Sequence, residues 1–219
     1  MTISLTTAPL APLLDRLFHQ AEHATSPALA AIPDEERERL LRSKTGYLEF
    51  YSQAKDLWLP VSRTTGVLLY QLARSTRAQN IIEFGTSFGL STLYLAAALR
   101  DNGGGRLISS EFESSKVAKA REHLAEASLD TLVEIRRGDA LDTLAVDLPE
   151  HIDLVLLDGA KSIYCEVLDL LERRLRPGAL IIADNADLSP DYLARVRDTS
   201  KGYLSVPVGE DVELSMWLG

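Results

Sequence analysis

From residue 80 onward, short apolar runs alternate with amphipathic segments, and this alternation constrains the fold more than any other feature. Helices are expected to begin near Leu90, Ser114, Ser162 and Ser189. The apolar runs are typical of strands: NIIEF (80–84), RLISSEF (106–112), LVEIRRGD (132–139), IDLVLLD (152–158) and GALIIAD (178–184). Alternating strands and helices require right-handed crossovers, which give a mostly parallel sheet covered on both faces. The pattern therefore predicts a Rossmann-like, doubly wound α/β domain.

The two ends of the chain follow different patterns. Before residue 80, apolar residues recur three or four positions apart in four segments, which predicts N-terminal helices: 10–23, 33–44, 46–58 and 64–77. At the other end, GYLSVPV (202–208) and VELSMWLG (212–219) flank a tight turn at 209–211, which predicts two consecutive strands, at least one antiparallel. A chain of 219 residues suits one main domain. We expect a helical extension or lid over 1–59 and the main domain over 60–219.

Composition excludes several classes of partner. A formal charge of -9 argues against nucleic acid, whose binding depends on Lys and Arg. The opening MTISLTTAPLAPLLDRLF has no basic leader and carries two prolines, so neither a signal peptide nor a membrane span is expected. The lone Cys165 permits no internal disulfide, which agrees with the reducing cytoplasm.

The turn after the first strand contains two motifs at once. Gly85, Ser87 and Gly89 fit G-x-S-x-G, the turn that carries the nucleophile of α/β hydrolases. Such an enzyme needs a histidine on a late loop, but after Ser87 the chain offers only His123, within a helical pattern, and His151, before a central strand. The alternative is a cofactor turn, in which two glycines allow close approach and a helix N-terminus follows. The missing histidine favours the cofactor turn.

The residues around this turn indicate which cofactor it takes. Glu111 ends the second strand, where an acid can accept both hydroxyls of a ribose. Glu83 and the bulky Phe88 do not suit a pyrophosphate, since a carboxylate repels it, but a carboxylate attracts an ammonium group. S-adenosylmethionine has both the ammonium group and the ribose. We therefore expect S-adenosylmethionine as the cofactor.

From about residue 60 to its end, the chain resembles the small, metal-dependent O-methyltransferases of the catechol and caffeoyl-CoA type, within the class I S-adenosylmethionine-dependent methyltransferases. Six motifs in the family's order carry the resemblance: E-x-G-x-S-x-G-x-S at 83–91, Glu111, GDA at 138–140, DGAK at 158–161 with Tyr164 following, DN at 184–185 and GEDVELS at 209–215. The resemblance implies a seven-stranded sheet with an antiparallel last strand.

Oxygen-bearing side chains stand at the ends of two predicted strands. Asp158 ends one of them, and Asp184 with Asn185 ends the next. Because ligands bind beyond the carboxyl ends of parallel strands, these three side chains can converge on Mg²⁺ or a similar cation. Each alone is also explained as a turn residue or a helix cap. Together they predict a metal site.

The resemblance also assigns catalytic roles. Lys161 follows Asp158 by one helical turn and would be the general base, as a lysine in this motif is in the resembling enzymes. An exposed lysine that balances nearby acids is the alternative. Glu213 aligns with an acid that orients the second substrate hydroxyl, although the nearby Asp211 offsets the alignment.

The cofactor's parts are assigned by the same resemblance. Glu111 would hold the ribose, and Asp158 would reach both cofactor and cation. The other assigned residues are Glu83, Gly85, Ser87, Ser91 and the backbone near Val61 for the methionine part and its turn, and Asp139 with Ala140 for the adenine. Glu83 as a buried charge and Ser91 as a helix cap are the alternatives. Tyr47, Phe50, Tyr51 and Trp58 are expected mostly in the core, with some over a flat substrate.

These observations predict a cytoplasmic, homodimeric O-methyltransferase. It would transfer a methyl group from S-adenosylmethionine to a small aromatic, catechol-like vicinal diol with the help of a divalent cation. The sequence DGAK and the segment DNADLSPDY after the fifth strand depart from the family's usual DADK and apolar loop, so the substrate wall differs. A cation-independent transferase, a descendant that keeps the cofactor without methyl transfer, and a regulatory protein without turnover remain as alternatives.

Overall fold

A computed structural model describes residues 3–209 and 211–219, so the predicted turn at 209–211 lies partly outside the described residues. Seven strands are present: β1 Asn80–Phe84, β2 Arg106–Glu111, β3 Val133–Arg137, β4 Ile152–Leu157, β5 Leu175–Ala183, β6 Tyr203–Val208 and β7 Val212–Trp217. The α-helices in the described residues are α1 Leu10–His23, α2 Pro27–Ala30, α3 Asp34–Leu41, α4 Tyr47–Gln53, α5 Arg63–Ser75, α6 Leu90–Asn102, α7 Ser114–Glu126, α8 Ala140–Thr143, α9 Tyr164–Leu171 and α10 Pro190–Val196.

The strands form one sheet in the order β3-β2-β1-β4-β5-β7-β6. The pairs among β1 to β5 are parallel, whereas β7 runs antiparallel to both β5 and β6. The predicted doubly wound, mostly parallel sheet with an antiparallel last strand is confirmed. Strand β5 begins at Leu175, three residues before the predicted start, because Leu175 pairs with Ile152 ahead of a register shift.

Helices cover the sheet on both faces. On one face, α1, α5, α6 and α7 share a core that includes Leu17, Leu69, Leu95 and Leu124. On the other face, α9 and α10 pack around Tyr164 and other buried side chains. Because α1 contributes five buried side chains to the first core, it is packed into the main domain, and the division at residue 59 stays a prediction. No helix in the described part of the chain is long and apolar enough to cross a membrane.

The turn between β1 and α6 has backbone conformations that most residues cannot adopt. Gly85 has φ +104°, and a Cβ there would lie 2.6 Å from the carbonyl oxygen of Asp158, so only glycine fits. Ser87 also has positive φ, and Gly89, at φ +88°, is the residue before α6. The turn therefore brings backbone close to the carboxyl end of β4, where an open α/β sheet binds its ligands.

Candidate active site

Two adjoining cavities lie on either side of the glycine turn. The larger encloses about 590 Å³ including its mouth, and it extends from Asp158 past Glu111 to Asp139 and Ala140. The smaller encloses about 240 Å³ and is lined by Trp58, Pro60, Phe88 and Ser91, among others. Leu59, Gly85, Ser87 and Asp158 line both. An elongated ligand can therefore lie across the turn, with its middle at Gly85 and Asp158.

Glu111 and Ser87 form the centre of this crevice. The Ser87 N–H donates to Oε2 of Glu111 at 2.8 Å, and the Glu113 N–H donates to Oε1 at 2.9 Å. Burial raises the pKa of Glu111, while these backbone donors lower it. Each carboxylate oxygen keeps a second lone pair for a ligand hydroxyl. The Ser87 hydroxyl is buried with no hydrogen-bond partner in the described residues, which is a vacancy that a ligand group would satisfy.

Glu83 lies behind the turn and not on its open side. Its carboxylate accepts hydrogen bonds from the hydroxyls of Ser91 and Thr92, each at 2.6 Å, and of Ser109 at 2.5 Å. It is fully buried and lines neither cavity, and burial raises its pKa. Its Oε1 accepts only the Ser91 bond, so one lone pair remains. Contact of Glu83 with a ligand's ammonium group stays a prediction.

The far end of the larger cavity is closed by α4. Asp139 accepts the Leu141 N–H at 3.0 Å and the Tyr47 hydroxyl at 2.5 Å, and burial together with this carboxylate raises the pKa of Tyr47. Tyr47 and Tyr51 line the cavity, whereas Phe50 is buried in the core. The helical N-terminal region thus supplies aromatic walls to the crevice.

Trp58 and Val61 lie at the other end of the crevice. Trp58 stacks on Phe88 with ring centroids 4.1 Å apart and an interplanar angle of 8°. Val61 is buried directly after Pro60, which lines the smaller cavity. The structure therefore places Val61 next to a residue of the smaller cavity, and contact of its backbone with the cofactor stays a prediction.

Asp158 and Asp184 meet at the carboxyl ends of β4 and β5. Leu157 pairs with Ala183 in the parallel ladder, so Asp158 and Asp184, which follow them, are neighbours, and burial raises the pKa of both carboxyl groups. Burial and the neighbouring charge of Asp158 raise the pKa of Asp184 to about 7. Two neighbouring carboxyl groups repel each other when both are ionised, and a bound cation would relieve that repulsion.

Lys161 and Tyr164 form hydrogen bonds that hold the ends of β4 and β5, where Asp158 and Asp184 lie. Lys161 Nζ donates to Asp158 Oδ1 at 3.1 Å, and although burial works against the charged amine, Tyr164 and Asp158 hold the pKa of Lys161 above its ordinary value. Lys161 is thus an ion-pair partner here, and its role as a base stays a prediction. The Tyr164 hydroxyl lies 2.8 Å from the carbonyl oxygens of both Leu157 and Asp184, so it ties the two strand ends together.

The third predicted metal ligand, Asn185, is oriented by a neighbouring acid. Asn185 has φ 48°, and its Nδ2 donates to Asp211 Oδ2 at 3.0 Å. Across residues 3–209 and 211–219, no three His, Cys, Asp or Glu side chains are grouped as a metal site. An ion here would therefore rest on two carboxylates and the amide oxygen of Asn185.

Glu213 lies apart from both cavities. It pairs with Ala183 across the β5–β7 ladder, and its carboxylate accepts hydrogen bonds from Arg197 at 2.8 and 2.7 Å and from Ser205 at 2.6 Å. These bonds lower the pKa of Glu213. The structure thus gives Glu213 an ion pair, and its contact with a substrate hydroxyl stays a prediction.

Lys116 lines the larger cavity and is 4% exposed, and it is not among the residues predicted from the sequence. A signal for it exists, because Lys116 follows Glu111 by five residues and lies in the first turn of a helix that begins at the ligand edge of the sheet. Of the three hydroxyls that donate to Glu83, the sequence indicated only that of Ser91, and those of Thr92 and Ser109 were not predicted.

Comparisons with known proteins agree with this geometry. A model of the methyltransferase domain matches residues 82–186. A catechol O-methyltransferase from Niastella koreensis is 38% identical over 130 residues, which are 58% of this chain and 58% of that protein. Another from Mycobacterium tuberculosis is 32% identical over 140 residues, 64% of this chain and 63% of that protein. The chain thus matches 58% and 63% of the length of these curated relatives.

Solved structures also resemble nearly the whole chain, and one of them was solved with a bound cofactor. It is the O-methyltransferase TomG from Streptomyces achromogenes, which is involved in tomaymycin synthesis and was solved in complex with S-adenosylmethionine. It is 29% identical with a TM-score of 0.65, covering 93% of this chain and 95% of that one. The strand order, the glycine turn with Glu111 and these relatives show a methyltransferase domain that is similar to the class I S-adenosylmethionine-dependent O-methyltransferases of the catechol and caffeoyl-CoA type.

Proposed function

We propose that the protein transfers a methyl group from S-adenosylmethionine to a hydroxyl of a small, catechol-like vicinal diol, with a divalent cation bound beside the acceptor. One observation carries the proposal: Asp158 lies in the wall common to both cavities, and it is the neighbour of Asp184 at the ends of the paired strands β4 and β5. The crevice for a cofactor is therefore continuous with a pair of carboxyl groups that suits a cation.

The crevice suits S-adenosylmethionine in shape and in polar groups. Glu111 offers two acceptor positions where a ribose would lie, and the larger cavity continues to Asp139 and Ala140, where an adenine would lie. The smaller cavity, beyond the glycine turn, would take the methionine part near Ser91. The unpartnered Ser87 hydroxyl supports a polar ligand at the junction. The relatives named above support the same cofactor, since TomG was solved with it.

The donor set also suits a hard divalent cation. Asp158, Asp184 and Asn185 would hold it through oxygen atoms, which Mg²⁺ prefers. When bound, such an ion lowers the pKa of a coordinated phenol and fixes the position of its oxygen. Lys161, 3.1 Å from Asp158, would lose that carboxylate as its partner to a bound cation, and the pKa of the lysine would fall, so that the neutral amine could take the phenol's proton. The two relatives described as catechol O-methyltransferases support a vicinal diol as the substrate class.

The test is a turnover assay with purified protein, S-adenosylmethionine, Mg²⁺ and a panel of catechols, in which S-adenosylhomocysteine is quantified by chromatography. We expect turnover with catechols, loss of turnover in excess EDTA, and recovery on adding Mg²⁺. Asp184→Asn should lose turnover but retain cofactor affinity. Asp169→Asn, an exposed partner of Arg195, is the matched control and should keep wild-type turnover.

The other functions give different outcomes in the same assay. Full turnover in EDTA would identify a cation-independent transferase. Cofactor binding without turnover on any acceptor would favour a regulatory protein. We further propose a cytoplasmic homodimer, which light scattering on the purified protein would test through its mass.

A further inference from the structure

Lys116 is a buried cation without a hydrogen-bond or ion-pair partner in the described part of the chain. It lies in the first turn of α7, lines the larger cavity and is only 4% exposed. Its Nζ lies 5.4 Å from the centroid of the Phe88 ring, and it makes no hydrogen bond or ion pair within the described residues. The carboxylates of Glu111, Glu113 and Asp56 influence it from a distance, and burial lowers its pKa.

This arrangement is unfavourable for the protein alone. Lysine is rarely buried unless it is paired, because an ammonium group loses strong hydration on burial. The contact with Phe88 compensates for part of that loss, and the ammonium donors, which have no acceptor in the described residues, face the cavity. Lys119, on the same helix, shows the usual arrangement, since it is exposed and pairs with Glu122. The ammonium group of Lys116 is therefore free to donate to an acceptor that enters the cavity.

The cavity wall beside Lys116 indicates the ligand group. Glu111 is fixed by two backbone N–H groups and accepts further hydrogen bonds, while Lys116 only donates them. An acceptor and a donor in the wall of one cavity suit a hydroxyl, which donates and accepts at once. A ribose presents two such hydroxyls. We propose that Lys116 is a cofactor-binding residue whose ammonium group donates to a ribose hydroxyl that itself donates to Glu111. The proposal rests on the proposed function, because it requires an adenosine-containing cofactor.

Analogues that lack single hydroxyls test this contact directly. Binding of adenosine, 2′-deoxyadenosine and 3′-deoxyadenosine is measured by calorimetry, in competition with S-adenosylhomocysteine, for the wild type, Lys116→Met and the control Lys119→Met. We expect Lys116→Met to weaken adenosine binding roughly 10-fold or more, as for loss of a hydrogen bond to a charged group. For one deoxy analogue the two proteins should bind alike, because the hydroxyl is already missing. Lys119→Met should match the wild type with every ligand.

Several results would overturn the assignment. Unchanged adenosine binding in Lys116→Met would show that the amine makes no contact. An equal loss for all three nucleosides would show that Lys116 only balances the charge of Glu111. If circular dichroism shows that the methionine variant does not fold, Lys116→Gln replaces it, since its amide is polar but shorter. Wild-type protein that binds neither S-adenosylhomocysteine nor adenosine would reject the proposed function as well, whereas the first two results reject the role of Lys116 alone.

Discussion

Replacement of Thr92 by valine isolates one hydrogen bond to the buried carboxylate behind the glycine turn. The Thr92 hydroxyl donates to Glu83 Oε2 at 2.6 Å, and both residues are fully inaccessible to solvent. Valine has nearly the same shape as threonine, so Thr92→Val leaves the packing of α6 in place. The main loss is therefore one of the three hydroxyl donors on Glu83.

The expected cost follows from the charge of the acceptor. A hydrogen bond to an ionised group contributes about 1.5 to 3 kcal/mol to the free energy of unfolding, so we expect a loss of about 2 kcal/mol. For a chain of this length, that loss lowers the melting temperature by roughly 4 to 8 °C. Other hydroxyls cannot take over, because those of Ser91 and Ser109 are already bonded to the same carboxylate.

The free energy of unfolding that Thr92→Val loses should also depend on pH. Burial raises the pKa of Glu83 above its ordinary 4.5, and the Thr92 bond lowers it. The native state therefore holds the proton more strongly than the unfolded state, and stability falls as pH rises from 4.5 through the native pKa. Without the Thr92 hydroxyl the native pKa rises further, so the variant loses stability over a wider pH range. The difference between wild type and variant should be larger at high pH.

Urea denaturation of the cofactor-free protein at about pH 5 and about pH 8 measures this difference. Thr76→Val is the matched control, because the Thr76 hydroxyl donates to a neutral carbonyl, that of Leu72, at 2.8 Å. The free energy of unfolding lost in Thr76→Val should be the same at both pH values. A Thr92→Val cost below that of Thr76→Val, or one that does not grow with pH, would refute an ionised Glu83 held by hydroxyls.

Three further predictions concern the active-site end of the sheet. Tyr164→Phe should weaken cation binding in calorimetry and keep cofactor affinity, because it releases the two strand ends. Tyr192→Phe, whose hydroxyl is buried without a partner in the described residues, should change neither affinity. Arg197→Met should destabilise the protein at neutral pH, since Arg197 lowers the pKa of Glu213. The stabilisation by this ion pair is present above the pKa of Glu213 in the unfolded chain and is lost as the pH falls through its pKa in the native protein. The urea midpoints of wild type and variant should therefore converge in acid. Ser87→Ala should weaken cofactor binding modestly, and organophosphate labelling of Ser87, detected by mass spectrometry, would instead support the hydrolase.

The secondary structure was largely predictable, because its signals are local. Helices α6 and α7 begin at Leu90 and Ser114, the predicted residues. The α9 helix begins two residues after the predicted Ser162, because a single 3₁₀ turn at Lys161–Ile163 precedes it. The short α8 was not predicted, since four residues are too few to show a helical period.

The site was predictable where it depends on strand ends. Parallel strands end at the same edge, so the positions of Asp158 and Asp184 followed from the apolar runs before them. The raised pKa values of the two carboxyl groups did not follow, because they depend on burial and on the adjacency of β4 and β5. Glu83 is similar: its position in the glycine turn was clear, but the three hydroxyls come from α6 and β2, and Ser109 lies 26 residues away.

The sequence by itself determined the class of fold, the glycine turn, the acid after β2 and the cofactor they suggest, because periodicity, φ preferences and strand ends are properties of short segments. Only the tertiary structure decided which groups face the crevice. It directed Glu83 to hydroxyls behind the turn, paired Glu213 with Arg197 and buried Lys116 in the wall of the larger cavity. These outcomes depend on distant segments packing against one another, and hydration, charge and hydrogen bonding there are set by neighbours that the local sequence does not contain.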